Sequence, residues 1–155
     1  MSDIKKLNLG CGDDVKDGFI NVDIRNLDNV IQCDITKPLP FQDNEFDYIL
    51  MSDVIEHFSI KDLEKYFPEW IRVLKKGGGL QIRTPNLLWM CKEYLKSHDA
   101  EFISWHIFGG QDYSTNFHYV IFDRKSLNRF LLLNNCFELE YKEKGSNMII
   151  IAKKG

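Results

Sequence analysis

The chain has 155 residues, 44% of them hydrophobic and 28% charged, with a formal net charge of -3. That length suits one domain with a sizeable core, and the composition sets aside disordered and fibrous classes. The charge gives no electrostatic footprint for gripping a phosphate backbone, so nucleic acid is not expected as a partner. No run reaches the length of a membrane span and the first residues lack the apolar core of a signal peptide, so no membrane partner is expected either. Cys11, Cys33, Cys91 and Cys136 are scattered, without a Cys-x-x-Cys pair or zinc-type spacing. They read as thiols in a reducing cytoplasm.

In chain order, a short apolar run predicts a first strand at about Lys5 to Leu9, followed at once by Gly10 and Gly12. Glycines there suit a ligand that comes close to the backbone. A second strand, Phe19 to Asp23, ends in an acid placed to accept from ribose hydroxyls. The segment Gly10 to Gly18 is too short for the usual crossover helix. The stretch Arg25 to Asn29 is too polar and turn-prone to supply another before the third strand, Val30 to Cys33. One face of the sheet is therefore expected to be thinly covered and available to a homodimer partner.

Phe46 to Met51 is almost continuously apolar, as a strand buried on both faces of a parallel sheet should be. Ser59 to Asp62 resembles a capping box, and Leu63, Phe67, Ile71 and Leu74 form a helical stripe. Pro68 within it predicts a kink or two short helices, and Gly77 to Gly79 a helix stop, with Lys75 and Lys76 at the negative end of the dipole. A fifth strand is expected over Leu80 to Thr84 and a helix over Leu87 to Ser97. The stretch Phe102 to Tyr119 mixes aromatics, histidines, glycines and amides, which predicts a substrate-side cap, set at about residues 98–119. Asp123 caps a helix carrying Leu127, Phe130, Leu131 and Leu132, and Phe137 to Tyr141 pairs with Met148 to Ala152 as a terminal hairpin.

Leu7-Asn8-Leu9-Gly10-Cys11-Gly12, Asn21-Val22-Asp23, Cys33-Asp34, Phe46-Asp47-Tyr48-Ile49, Glu56-His57 and Arg72 to Gly78 together resemble a class I S-adenosylmethionine (SAM)-dependent methyltransferase. The resemblance implies an α/β fold: a three-layer, Rossmann-like, mostly parallel sheet with an antiparallel last strand, here with helices on one face reduced or missing. It implies SAM as cofactor and S-adenosylhomocysteine as product. It also implies a cofactor site at Leu9, Gly10, Cys11, Gly12, Asp23, Ile24, Asp34, Ile35 and Ser52, with Asp34 beside the adenine amino group and Asp47 in a structural role. A nicotinamide site would need Gly-x-Gly-x-x-Gly opening a full helix, whereas Val15 stands at the third glycine's position.

Methyl transfer from a sulfonium is a displacement with an activated leaving group, so positioning does much of the work and a base is needed only for a protonated nucleophile. Asp53 and His57, after the fourth strand, are the expected catalytic residues, with His57 as general base. Asp53, Glu56 and His57 offer a divalent ion three ligands, but no metal is assigned. His106, Gln111, Tyr113 and His118 are the expected acceptor contacts. Ser52-Asp53-Val54-Ile55 stands where DNA amino-methyltransferases carry an Asp/Asn-Pro-Pro-Tyr/Phe-type motif, which argues against base methylation. The compact form and the Phe108-Gly109-Gly110-Gln111 cap resemble bacterial methyltransferases of polysaccharide or other secondary biosynthesis, which implies a small-molecule acceptor, with a sugar or glycan-precursor hydroxyl as the expectation. The competing reading is a non-catalytic SAM-binding protein of the same fold.

Overall fold

A computed structural model describes residues 4–112 and 115–155. Seven strands form one sheet in the order β3-β2-β1-β4-β5-β7-β6: β1 Lys6–Leu9, β2 Ile20–Asp23, β3 Ile31–Gln32, β4 Phe46–Ser52, β5 Leu74–Pro85, β6 Cys136–Lys144 and β7 Asn147–Lys154. The first five run parallel and β7 lies antiparallel between β5 and β6. The helices are α1 Ile60–Arg72, α2 Leu87–Ser97, α3 Ala100–Phe108 and α4 Arg124–Leu133, with a short 3-10 turn at Ile55–His57. None is long and apolar enough to cross a membrane.

Period-two alternation divides the sheet. Leu7, Leu9, Val22, Ile49, Met51, Leu80, Ile82 and Ile150 point to one side, where they join Leu63, Phe67, Trp70 and Ile71 of α1 and Leu127, Phe130 and Leu131 of α4 in a single core. Phe67 lies edge-on to Trp70 and Phe130 at centroid distances of 6.0 and 4.8 Å. On the other side no helix follows β1, β2 or β3. That layer is reduced to the 10–18 loop, held down by Asn8, whose Nδ2 donates to Asp14 O at 2.8 Å and to Asn21 Oδ1 at 2.9 Å.

Three local expectations are corrected. Pro68 does not divide α1, which runs unbroken through it. Pro68 and Glu64, whose carbonyl loses its bond, are both on the exposed side, while buried Leu63, Phe67 and Ile71 anchor both halves. The helix does not end on the glycines: it stops at Arg72, and Leu74 opens β5 opposite Phe46. Val73 and Leu74 are wholly buried, and Phe46 N donates to Val73 O at 2.9 Å, so sheet pairing overrides helical periodicity here. Lys75 and Lys76 therefore lie in β5, where Lys75 pairs with Asp47 at 2.7 Å. Asp47 also accepts from Lys5 N at 2.9 Å, stitching the amino ends of β1, β4 and β5 together.

Candidate active site

The chain leaves β1 into a loop whose glycines take left-handed backbone angles, Gly10 at φ 65° and Gly12 at φ 53°. Side chains rarely adopt that region, and a Cβ on Gly10 would stand 3.0 Å from Val54 Cγ2. Leu9 and Cys11 are buried beneath the loop, and Cys11 N donates to Val22 O at 2.9 Å, locking it to β2. Asp23 ends β2 with its carboxylate already engaged: Oδ2 accepts from Gly12 N at 2.7 Å, and Oδ1 from Arg25 N and Nε at 3.0 and 3.1 Å. Ile24 is exposed. Asp34 Oδ1 accepts from the Thr36 amide and hydroxyl at 2.9 and 2.7 Å, which holds its carboxyl below the ordinary carboxylate range. Ile35 packs toward Gly10, its Cδ1 3.8 Å from where a Cβ would stand.

Beyond β4 the chain turns sharply at Asp53, a non-glycine residue at φ 54°. Its amide donates to Arg83 O at 2.9 Å and its carboxylate is gripped by the Arg83 guanidinium. A carboxylate held this way fixes the turn that carries its neighbours. The 3-10 turn then buries Glu56, only 1% exposed, whose Oε2 accepts from Thr84 Oγ1 at 3.1 Å. Burial, with the nearby Asp53 charge second, pushes the Glu56 carboxyl up to about 8.

The cap is docked onto this turn by Tyr119 N, which donates to Glu56 O at 2.8 Å. His118 thereby comes against His57, ring centroids 5.1 Å apart. His57 Nδ1 lies 3.1 Å from Phe117 O and His118 Nδ1 3.1 Å from His106 O. A carbonyl can only accept, so each Nδ1 carries the hydrogen and each Nε2 keeps its lone pair. Burial is the main cause that holds both rings below the ordinary histidine value, hence neutral near pH 7.

These pieces line one cavity of about 760 Å³, with Gly10, Gly12 and Ser52 on one part of its wall and Glu56, His57 and His118 on another. His106 and Trp105 line it from α3, while Gln111 is exposed outside it. Tyr113, expected on the acceptor side, lies outside the described residues. A second hollow of about 690 Å³ opens on the bare sheet face among Ile4, Lys6, Phe19 and Tyr48. It lies at the amino ends of the strands, away from the glycine loop. The expected residue set omits Arg83 and Asn116 of the main cavity wall. A charged residue inside the run Leu80 to Thr84, at the carboxyl end of a central strand, was the available signal for Arg83.

Residues 7–82 match the methyltransferase domain family. Among solved structures, a SAM-dependent methyltransferase from Methanosarcina mazei shares 18% identity at TM-score 0.68, covering 99% of this chain and 93% of that one. A Pyrococcus horikoshii OT3 protein shares 22% at TM-score 0.66, covering 97% and 82%. The 1,6-didemethyltoxoflavin-N1-methyltransferase of Burkholderia thailandensis, solved with 1,6-didemethyltoxoflavin and S-adenosylhomocysteine bound, shares 13% at TM-score 0.68, covering 96% and 70%. At these identities the likeness is one of fold. A search of the curated proteins finds no match. The family match over residues 7–82 and the fold shared along nearly the whole chain support a SAM-dependent methyltransferase with S-adenosyl-L-methionine as cofactor. The cradle fits that cofactor: two side-chain-free positions at left-handed φ, with a carboxylate at the end of the neighbouring strand.

Proposed function

We propose that this enzyme methylates a hydroxyl of a small molecule, a sugar or glycan precursor. One observation carries the reading: the glycine loop and the neutral imidazoles of His57 and His118 face the same cavity, so a donor on the loop and an acceptor on the histidines meet across it. Bound SAM supplies an activated methyl on sulfur. Leu9, Gly10, Cys11 and Gly12 shape the bed for its amino-acid end, Asp23 takes the ribose hydroxyls, and Ile24, Asp34, Ile35 and Ser52 surround the remainder. The Arg25 side chain is 48% exposed, so it is free to turn outward and yield Asp23 to the ribose.

On the acceptor side His57, with its free lone pair, takes the hydroxyl proton, and Asp53, fixed by Arg83, orients the turn that carries it. His106 and His118 line the acceptor's space, and Gln111 is an outer contact. Trp105, 60% exposed, offers a flat apolar face to the C–H surface of a sugar ring. The Burkholderia neighbour, crystallised with a small molecule, supports an acceptor of that size. The net charge of -3 disfavours nucleic acid. Four free cysteines, three of them buried, suit a reducing cytoplasm. The bare sheet face, where Tyr48 and Ile151 are only partly covered, is the proposed surface of a homodimer, and sedimentation equilibrium checks it. The function is tested by following S-adenosylhomocysteine release over a panel of free and nucleotide-linked sugars. Acceptor-dependent turnover with methyl recovered on oxygen is expected. Methyl recovered on nitrogen, or turnover only with a macromolecule, contradicts it.

A further inference from the structure

We propose that Glu56, His57 and His118 form a binding site for a divalent transition-metal ion of the zinc class. One ligand atom from each of the three lies within 4.8 Å of the other two. Ligands at about 2.0–2.2 Å from an ion stand closer together than this, so side-chain movements of about an ångström complete the site.

Three features of the group point to an ion. First, Glu56 is 1% exposed, yet its Oε1 has no hydrogen-bond partner among the described residues. A buried polar atom left alone costs free energy, and an ion removes that cost. Second, each imidazole spends its Nδ1 hydrogen on a backbone carbonyl, Phe117 O for His57 and His106 O for His118. That bond fixes the ring and its tautomer and leaves Nε2 as the donor atom, the usual support of a metal-bound histidine. Third, the ligands come from separate elements clamped together: Tyr119 N bonds Glu56 O at 2.8 Å, beside His118. Asp53, the sequence's own third candidate, is excluded because Arg83 holds its carboxylate.

Two imidazoles and one carboxylate favour a zinc-class ion over magnesium, which prefers oxygen. Three protein ligands leave a coordination position open toward the cavity, as in catalytic rather than structural sites. The occupant of that position is water or an acceptor oxygen, and only this last point rests on the proposed methyl transfer. His57 takes the acceptor's proton only in the ion-free chain; with the ion bound its lone pair is spent, and the proton leaves to water.

The test is calorimetric titration of the chelator-treated, SAM-free chain with Zn²⁺, with Co²⁺ added separately as an absorbance reporter. The wild type is expected to take up one equivalent. Glu56→Gln and His118→Ala are each expected to weaken binding by roughly 10–100-fold or more, at least the loss seen when supporting groups are removed. His98→Ala, at an exposed histidine, is the control for surface zinc and is expected to bind as the wild type does. Circular dichroism confirms folding, with His118→Asn as the substitute should His118→Ala fail to fold. No stoichiometric uptake, or equal affinity in wild type and folded His118 variants, overturns the site. Because neither SAM nor acceptor is present, failure here leaves methyl transfer standing, and failure of SAM to bind leaves the ion site standing.

Discussion

Glu56→Gln gives the sharpest physical test of the buried turn. Glu56 is pushed from its ordinary 4.5 up to about 8, mainly by burial. Below pH 4.5 the folded and unfolded chains both carry its proton, and the group's contribution to stability is fully present. As pH rises the unfolded chain ionises first, so stability falls until the folded carboxyl ionises near pH 8. The slope is about 1 kcal/mol per pH unit, and the whole interval is worth on the order of 3–5 kcal/mol. Glutamine is nearly isosteric with the protonated acid but does not titrate. Urea denaturation with chelator present, at steps from pH 4.5 to 8.5, should therefore show the stability of wild type relative to Glu56→Gln falling steadily over about that amount. A difference independent of pH would refute the reasoning and place an ionised carboxylate in the core.

Asp23→Ala should weaken SAM binding by about 1–3 kcal/mol in a calorimetric titration, since the ribose hydroxyls lose a charged acceptor; unchanged affinity would mean the ribose lies elsewhere. Gly10→Ala forces a Cβ to 3.0 Å from Val54 Cγ2 at φ 65°. It should lose about 1–2 kcal/mol of stability from the left-handed backbone alone, together with most SAM affinity. Wild-type melting and binding would contradict the cradle. His57→Ala should keep SAM affinity nearly intact and lower turnover by about 10²–10⁴-fold if the ring takes the acceptor's proton. Unchanged turnover would reduce it to scaffold. Phe67→Ala, in the α1–α4 aromatic contact, should cost about 3–5 kcal/mol in denaturant unfolding, and a loss near zero would mean that the contact is not part of the core.

What the sequence made legible was governed by local pattern. The apolar run Phe46 to Met51, the glycines after Leu9, the Asp123 cap and the pairing of Phe137 to Tyr141 with the last strand each depend on near neighbours, and each stands where the pattern places it. The short loops after β1 and β2 likewise announced the missing helices. Where long-range contacts decide, local pattern misled: Leu74 continues the helical stripe, but pairing with Phe46 draws it into β5. The site shows the same division. The glycine loop and Asp23 were readable because spacing encodes them. The approach of His118 to Glu56 and His57 depends on a cap folded by backbone bonds such as Gln111 N to Asn116 O at 2.9 Å, which no periodicity signals. The capture of Asp53 by Arg83 was equally invisible, because it joins two strand ends that meet only in the sheet.

The most direct measurement is a crystal structure of the chain with S-adenosylhomocysteine bound. It should show the ribose hydroxyls on the Asp23 carboxylate with Arg25 turned away, the amino-acid end over Gly10 and Gly12, and the sulfur facing the His57 and His118 rings across the cavity. Ligand density in the hollow on the bare sheet face, with Arg25 still on Asp23, would contradict it.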